Sequence, residues 1–198
     1  MLSNIPKHKV FISFHHADDD DRKEFENIFS NDVETFVSRS VQDGDIDPNN
    51  KTETTRQAIR DRFISQSSVT IVLIGQNTWK RKHVDWEVGY SIKKTSQNTR
   101  SGLIGVLLPS YQSYALGSCS YSVSDNGTVY TPCNVPPRLY DNVQVGYAKI
   151  YSYPTSHHEL MTWIHEAFQR RNNIHVTPNN NRTYFSSNRG EHQNYWQA

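Results

Sequence analysis

Two carboxylates, Asp85 and Glu87, open a predicted helix directly after an apolar strand and a polar loop. The strand covers 69–75 (V-T-I-V-L-I-G), the loop covers 76–83, and the helix covers 84–95. A carboxylate just beyond the carboxyl end of a buried strand lies where α/β proteins form their sites. Glu87 is therefore our candidate catalytic residue.

The residue pattern alone also allows a structural role for both carboxylates. A negative charge in the first turn of a helix interacts favourably with the helix dipole, whatever else it does. Val84, Val88 and Ile92 form one apolar face of the predicted helix. Asp85 and Glu87 lie near opposite margins of that face, so periodicity leaves open which of them points into the protein.

Other chemistries fit the sequence less well. No glycine-rich phosphate loop follows the first strand, which disfavours a Rossmann-type dinucleotide site and a P-loop. The third strand ends without the aspartate of a phosphoacceptor receiver, so we interpret the aspartate run at 18–21 as a helix start. The pairs His15-His16 and His157-His158 lack the i, i+4 spacing that places two imidazoles on one helix face. We therefore predict no metal site.

The elements that would position Glu87 alternate between strand and helix. Strands are predicted at 9–14, 35–40, 69–75, 103–108 and 147–151, and helices at 18–33, 54–65, 84–95 and 156–168. This alternation predicts a mostly parallel five-stranded sheet with helices on both faces. A Tyr-rich insertion at about 110–146 follows the fourth strand, and Asn126-Gly127 within it predicts a β-hairpin.

In this chain of 198 residues, a single domain is expected over residues 8–170. The polar tail at 171–198 is expected to be poorly ordered unless it docks on something. A net charge of +1 does not favour nucleic acid or an anionic membrane as a partner. Because the chain lacks both a signal-peptide stretch and an apolar run of roughly 20 residues, we expect it to be cytoplasmic. In that compartment Cys119 and Cys133 are expected to be thiols.

Several segments resemble TIR domains in their order and spacing. The opening strand 10–15 (V-F-I-S-F-H) resembles the first TIR strand, and the loop 43–50 lies where TIR domains carry their BB loop. The segment 72–75 (V-L-I-G), followed by 84–87 (V-D-W-E), resembles the segment that holds the TIR catalytic glutamate. The likeness covers roughly residues 8–108 and extends to the TIR-like proteins of bacterial Thoeris antiphage systems. It implies a flavodoxin-like, three-layer α/β TIR fold.

The resemblance implies an enzyme of the NAD glycohydrolase or ADP-ribosyl cyclase type, with NAD as its substrate and no separate cofactor. Glu87 would stabilise the ribosyl cation as nicotinamide leaves. The product would be an ADP-ribose-derived nucleotide, with a cyclic form favoured, that activates a partner effector. The residues implied to contact the substrate are Phe14, His15, Asp45, His83 and Trp86. Many TIR enzymes have a tryptophan four residues before the glutamate, and this chain has His83 there.

Two other functions remain open at this stage. The first is a non-catalytic TIR module that self-associates through its BB loop, and the second is a nucleotide sensor that binds without turnover. Release of nicotinamide from NAD by the purified protein distinguishes the enzyme from both.

Overall fold

The computed structural model describes residues 5–29, 36–38, 64–95, 99–112, 122–190, 192–193 and 196. The strands of its central sheet are β1 His8–Ser13, β2 Phe36–Ser38, β3 Val69–Ile74, β4 Gly102–Leu107 and β7 Ala148–Tyr151; β5 and β6 belong to a separate hairpin. In the sheet they lie in the order β2-β1-β3-β4-β7, and every neighbouring pair is parallel. The predicted α/β class with a mostly parallel sheet is confirmed.

Four α-helices pack on this sheet among the described residues: α1 Asp19–Phe29, α2 Lys82–Ser91, α3 Pro137–Gln144 and α4 His157–Arg170. Short 3-10 helices cover His16–Asp18, Thr78–Lys80 and Pro132–Asn134. The aspartate run does begin a helix, with Asp19, Asp20 and Asp21 in the first turn of α1. Helix α3 lies inside the predicted insertion and was not anticipated. The predicted helix at 54–65 and the loop at 43–50 fall almost entirely outside the described residues.

The two faces of the sheet have separate apolar cores, which gives three layers. One core joins alternate residues of the strands, such as Val10 and Ile71, to α1 and α4. The other joins the intervening residues, such as Val72, to α2 and α3. All six residues of β3 are buried, as expected for a strand covered on both faces.

A β-hairpin lies between β4 and β7. Its strands β5 Val123–Asp125 and β6 Thr128–Tyr130 pair antiparallel. Asn126 and Gly127 both have positive φ (52° and 78°), which is the geometry that an Asn-Gly turn favours. The hairpin is joined to the end of β7, because the Ser152 N–H donates to Thr128 Oγ1 at 2.9 Å.

The C-terminal tail docks on the domain. We call residues 179–190 together with Trp196 the C-terminal strap; it lies across α2 and α3. The backbone of Asn179 exchanges two hydrogen bonds with the side chain of Asn142, at 2.8 and 2.9 Å. The Trp196 indole is 1% exposed and donates to the Val135 carbonyl. The polar composition that suggested disorder therefore supplies the groups that hold the strap in place.

Two further features to compare with the sequence are the state of the cysteines and the presence of membrane-spanning helices. Cys133 is disulfide-bonded, so the expectation that it is a thiol is wrong. That expectation came from the presumed cellular compartment, which takes no account of local geometry. Among the described residues, no helix is both long and apolar enough to cross a bilayer.

Candidate functional site

Glu87 projects from α2 toward the carboxyl end of β1 and meets Ser13 there. The Ser13 hydroxyl donates to Glu87 Oε2 at 2.6 Å, and both residues are buried (0% and 7% exposed). In β1, Val10 and Ile12 face α1 and α4. Strand alternation therefore directs Ser13 to the opposite face, where α2 lies. The sequence predicted Glu87 at this end of the sheet but did not identify Ser13 as its partner.

The environment of Glu87 favours the neutral carboxylic acid. Burial raises the pKa of Glu87 to about 8, although the hydrogen bond from Ser13 acts in the opposite direction. The group is therefore mostly protonated at neutral pH. A cation bound beside it would favour the carboxylate, because opposite charges stabilise each other strongly where water is excluded. The site is suited to stabilising a positively charged ligand or transition state.

Asp85, on the other side of α2, is held in a structural ion pair. Arg138 of α3 contacts both oxygens of Asp85, with Nε–Oδ1 at 2.9 Å and Nη2–Oδ2 at 3.2 Å. Both side chains are almost completely buried (0% and 2% exposed). The Phe185 N–H also donates to Asp85 Oδ2 at 2.9 Å. The structure thus separates the two carboxylates: Asp85 joins α2 to α3 and the strap, while Glu87 faces the end of β1.

The C-terminal strap fixes the helix that carries Glu87. Asn188 Oδ1 accepts a hydrogen bond from the first backbone N–H of α2, that of Lys82, at 3.0 Å. Asn180 Nδ2 donates to the Gly89 carbonyl at 3.0 Å. Gly89 also makes room for the Tyr184 ring, which a Cβ at this position would strike. Contacts along its length therefore hold α2 against the domain from the side opposite Glu87.

The loop between β3 and α2 is anchored to the segment after β1. The Gly75 N–H donates to Thr78 Oγ1 at 2.8 Å, and this hydroxyl donates to Asp18 Oδ2 at 3.1 Å. Burial raises the pKa of Asp18, against the effect of the Thr78 bond. From sequence, Asp18 is predicted only as part of a helix start. Its position beside the β3–α2 loop depends on its contact with Thr78, which is 60 residues away in the chain.

Two predicted substrate contacts follow Ser13 directly. Phe14 is partly buried, and the Arg22 guanidinium lies 5.1 Å from the centre of its ring. His15 is half-buried, and its carbonyl accepts from the Asp18 N–H at 2.7 Å. Both residues are therefore close in the chain to the Ser13–Glu87 bond.

Two other predicted contacts, His83 and Trp86, lie together on α2. Their ring centres are 5.0 Å apart in an edge-on arrangement, with His83 exposed and Trp86 buried. The Trp86 indole donates to the Phe185 carbonyl at 2.8 Å, which places it against the C-terminal strap. Asp45 lies outside the described residues. Within the described ranges, no group of three or more His, Cys, Asp or Glu side chains is arranged to hold a metal ion.

A comparison with protein families gives one match. The family model described as "Thoeris protein ThsB, TIR-like domain" matches residues 11–113, slightly more than half of the chain. The matched segment contains Ser13, the β3–α2 loop and Glu87. A search of curated proteins found no match. From the family match, the chain belongs to the TIR-like domain family of Thoeris protein ThsB.

Proposed function

We propose that this protein cleaves NAD between nicotinamide and ribose and converts the remainder into an ADP-ribose-derived signalling nucleotide. Membership of the Thoeris ThsB family supports a role in antiphage defence. The observation that carries the proposal is the buried Ser13–Glu87 pair at the carboxyl end of the sheet, inside the segment that the family model matches. The nucleotide would act by activating a partner effector.

In the proposed reaction the bond between ribose C1′ and the nicotinamide nitrogen breaks, and nicotinamide leaves with the bonding electron pair as a neutral base. Positive charge then develops on the ribose. The Glu87 carboxylate stabilises this charge and accepts hydrogen bonds from the ribose hydroxyls. Attack of water on C1′, with loss of a proton, gives ADP-ribose. Attack by a hydroxyl or ring nitrogen of the same molecule, again with loss of a proton, gives a cyclic ADP-ribose, which contains one water molecule less than ADP-ribose.

The raised pKa of Glu87 fits a substrate that is itself cationic. The nicotinamide ring of NAD carries a positive charge, so its arrival beside Glu87 favours loss of the carboxyl proton. The Ser13 hydroxyl donates to one carboxylate oxygen and leaves the other available to the ribose. Because the free enzyme must ionise Glu87, kcat/KM for NAD should rise with pH up to about 8.

The test is to supply NAD to the protein in two settings and to analyse what is formed. The purified chain is incubated with NAD. Nicotinamide and the remaining product are then separated, and their molecular masses are measured by mass spectrometry. The same masses are sought in phage-infected cells that express the protein. We expect nicotinamide together with a product that has either the mass of ADP-ribose or the mass of a cyclic ADP-ribose, which contains one water molecule less. Undiminished NAD in both settings would refute the proposal.

A further inference from the structure

A second concave surface lies at the amino-terminal end of the sheet, away from Glu87. It is a groove of about 370 Å³ between the segments that follow α2, precede β4 and follow α4. Its cationic side chains are Lys94, Arg100 and Arg171. Arg171 marks the end of the sheet at which the groove lies, because its Nη1 donates to the carbonyl of Ser68, the residue before β3, at 3.4 Å. Glu87 instead contacts the last residue of β1, so the two sites lie at opposite ends of the parallel strands.

The three cations of this groove have no carboxylate partner among the described residues. The described lining contains no Asp or Glu, and the other polar side chains in it are two asparagines and two threonines. Arg171 rests on the Phe168 ring, with its guanidinium carbon 4.0 Å from the ring centre. Arg100 and Arg171 both act on the Tyr147 phenol, where their charges oppose the rise in pKa that burial causes. Uncompensated like charges in one groove repel one another, and a bound anion removes that repulsion.

The donors of the groove suit phosphate. A guanidinium group can donate two parallel hydrogen bonds to phosphate oxygens, and an ammonium group adds a mobile charge. An apolar surface adjoins these cations: Ile174 is 87% exposed, and Val176 lies beside it in the lining. The volume is at the lower end of the range of roughly 300–1,000 Å³ that small-molecule sites occupy.

We propose that this groove is a binding site for a phosphate-bearing nucleotide, separate from the Glu87 site. The phosphates lie on Lys94, Arg100 and Arg171, and the ribose or base lies against Ile174 and Val176. This site adds to the proposed reaction and does not depend on it.

The test uses isothermal titration calorimetry on the full chain, with ADP and inorganic pyrophosphate as probes. Lys94→Gln and Arg100→Gln, at side chains that are at least partly exposed, are each expected to weaken both probes by roughly tenfold. Ile174→Ser is expected to weaken ADP and to leave pyrophosphate unchanged. Lys9→Gln, which removes an exposed cation outside the groove, is the matched control and should bind both probes like the wild type.

Nicotinamide release, measured on the same variants, distinguishes a defect of the groove from a defect of the Glu87 site. Arg100→Gln should bind ADP roughly tenfold more weakly than the wild type, while Glu87→Gln should bind it like the wild type, whether or not NAD is cleaved. The inference is overturned if neither probe binds, or if Arg100→Gln and Lys9→Gln bind equally well. It is also overturned if a hexaglutamate peptide binds as tightly as ADP, because the groove would then be a surface for acidic peptides. If Arg100→Gln does not fold, Lys94→Gln decides the outcome.

Discussion

Replacing Glu87 with glutamine is expected to raise the free energy of unfolding at alkaline pH. This stabilisation should be nearly absent near pH 4.5. The reason is the buried position of the carboxyl group, which raises its pKa from 4.5 to about 8 in the folded protein. In the unfolded chain the group ionises near its ordinary value. Between these two pH values the folded protein retains a proton that the unfolded chain has lost. The free energy of unfolding therefore falls as pH rises through this window.

The expected size of this effect follows from the shift in pKa. Each unit of pKa difference corresponds to about 1.4 kcal/mol, so the contribution of Glu87 below pH 4.5 exceeds that above pH 8 by about 5 kcal/mol at most. Single domains commonly have total stabilities of about 5–15 kcal/mol, so this change is large. Glutamine has nearly the same shape, accepts the Ser13 hydrogen bond and does not titrate, so the variant loses this pH dependence.

Urea unfolding followed by tryptophan fluorescence measures this effect at pH 5, 6, 7 and 8. The difference in unfolding free energy between Glu87→Gln and wild type should move in favour of the variant by up to about 1.4 kcal/mol per pH unit. Asp20→Asn is the control, because the Asp20 side chain is fully exposed, and it should follow the wild type. A difference that stays constant from pH 5 to pH 8 would refute the raised pKa and the burial on which the proposed site depends.

Other substitutions test the partners of the two carboxylates. Ser13→Ala removes the hydrogen bond that lowers the pKa of Glu87, so the rising limb of kcat/KM for NAD should move to higher pH. An unmoved limb in this variant would mean that Ser13 does not act on the ionised carboxylate. Arg138→Met leaves the buried charge of Asp85 unpaired and should lower the free energy of unfolding by about 3–5 kcal/mol in urea. The double variant Arg138→Met with Asp85→Leu should recover most of this loss, and a double variant as unstable as Arg138→Met would contradict the ion-pair explanation.

The location of Glu87 could be predicted from sequence because it depends on local signals. An apolar run, a polar loop and a helix start place the residue near the carboxyl end of a strand, whichever way the rest of the chain folds. The alternation of such runs also predicted the parallel sheet. The choice between Asp85 and Glu87 could not be made from periodicity, because it depends on side chains far away in the chain. Ser13 is 74 residues from Glu87, and Arg138 is 53 residues from Asp85.

The C-terminal strap shows a different limit of sequence reasoning. Its residues are mostly polar, and polar composition is typical of tails that do not bury enough surface to fold. Here the asparagines and the backbone of the strap satisfy polar groups of the domain, such as the buried Asp85 and the first N–H of α2. Composition does not reveal whether a polar segment has complementary donors and acceptors to meet, since those groups belong to α2 and α3.

The proposed role of Glu87 in NAD cleavage is tested most directly by the rate of nicotinamide release from matched variants. Wild type, Glu87→Gln and the surface control Asp20→Asn are compared at pH 8, with folding of each confirmed by circular dichroism. Wild type and Asp20→Asn should release nicotinamide at similar rates, and folded Glu87→Gln should release none above background. A folded Glu87→Gln variant that releases nicotinamide at the wild-type rate would contradict the assignment.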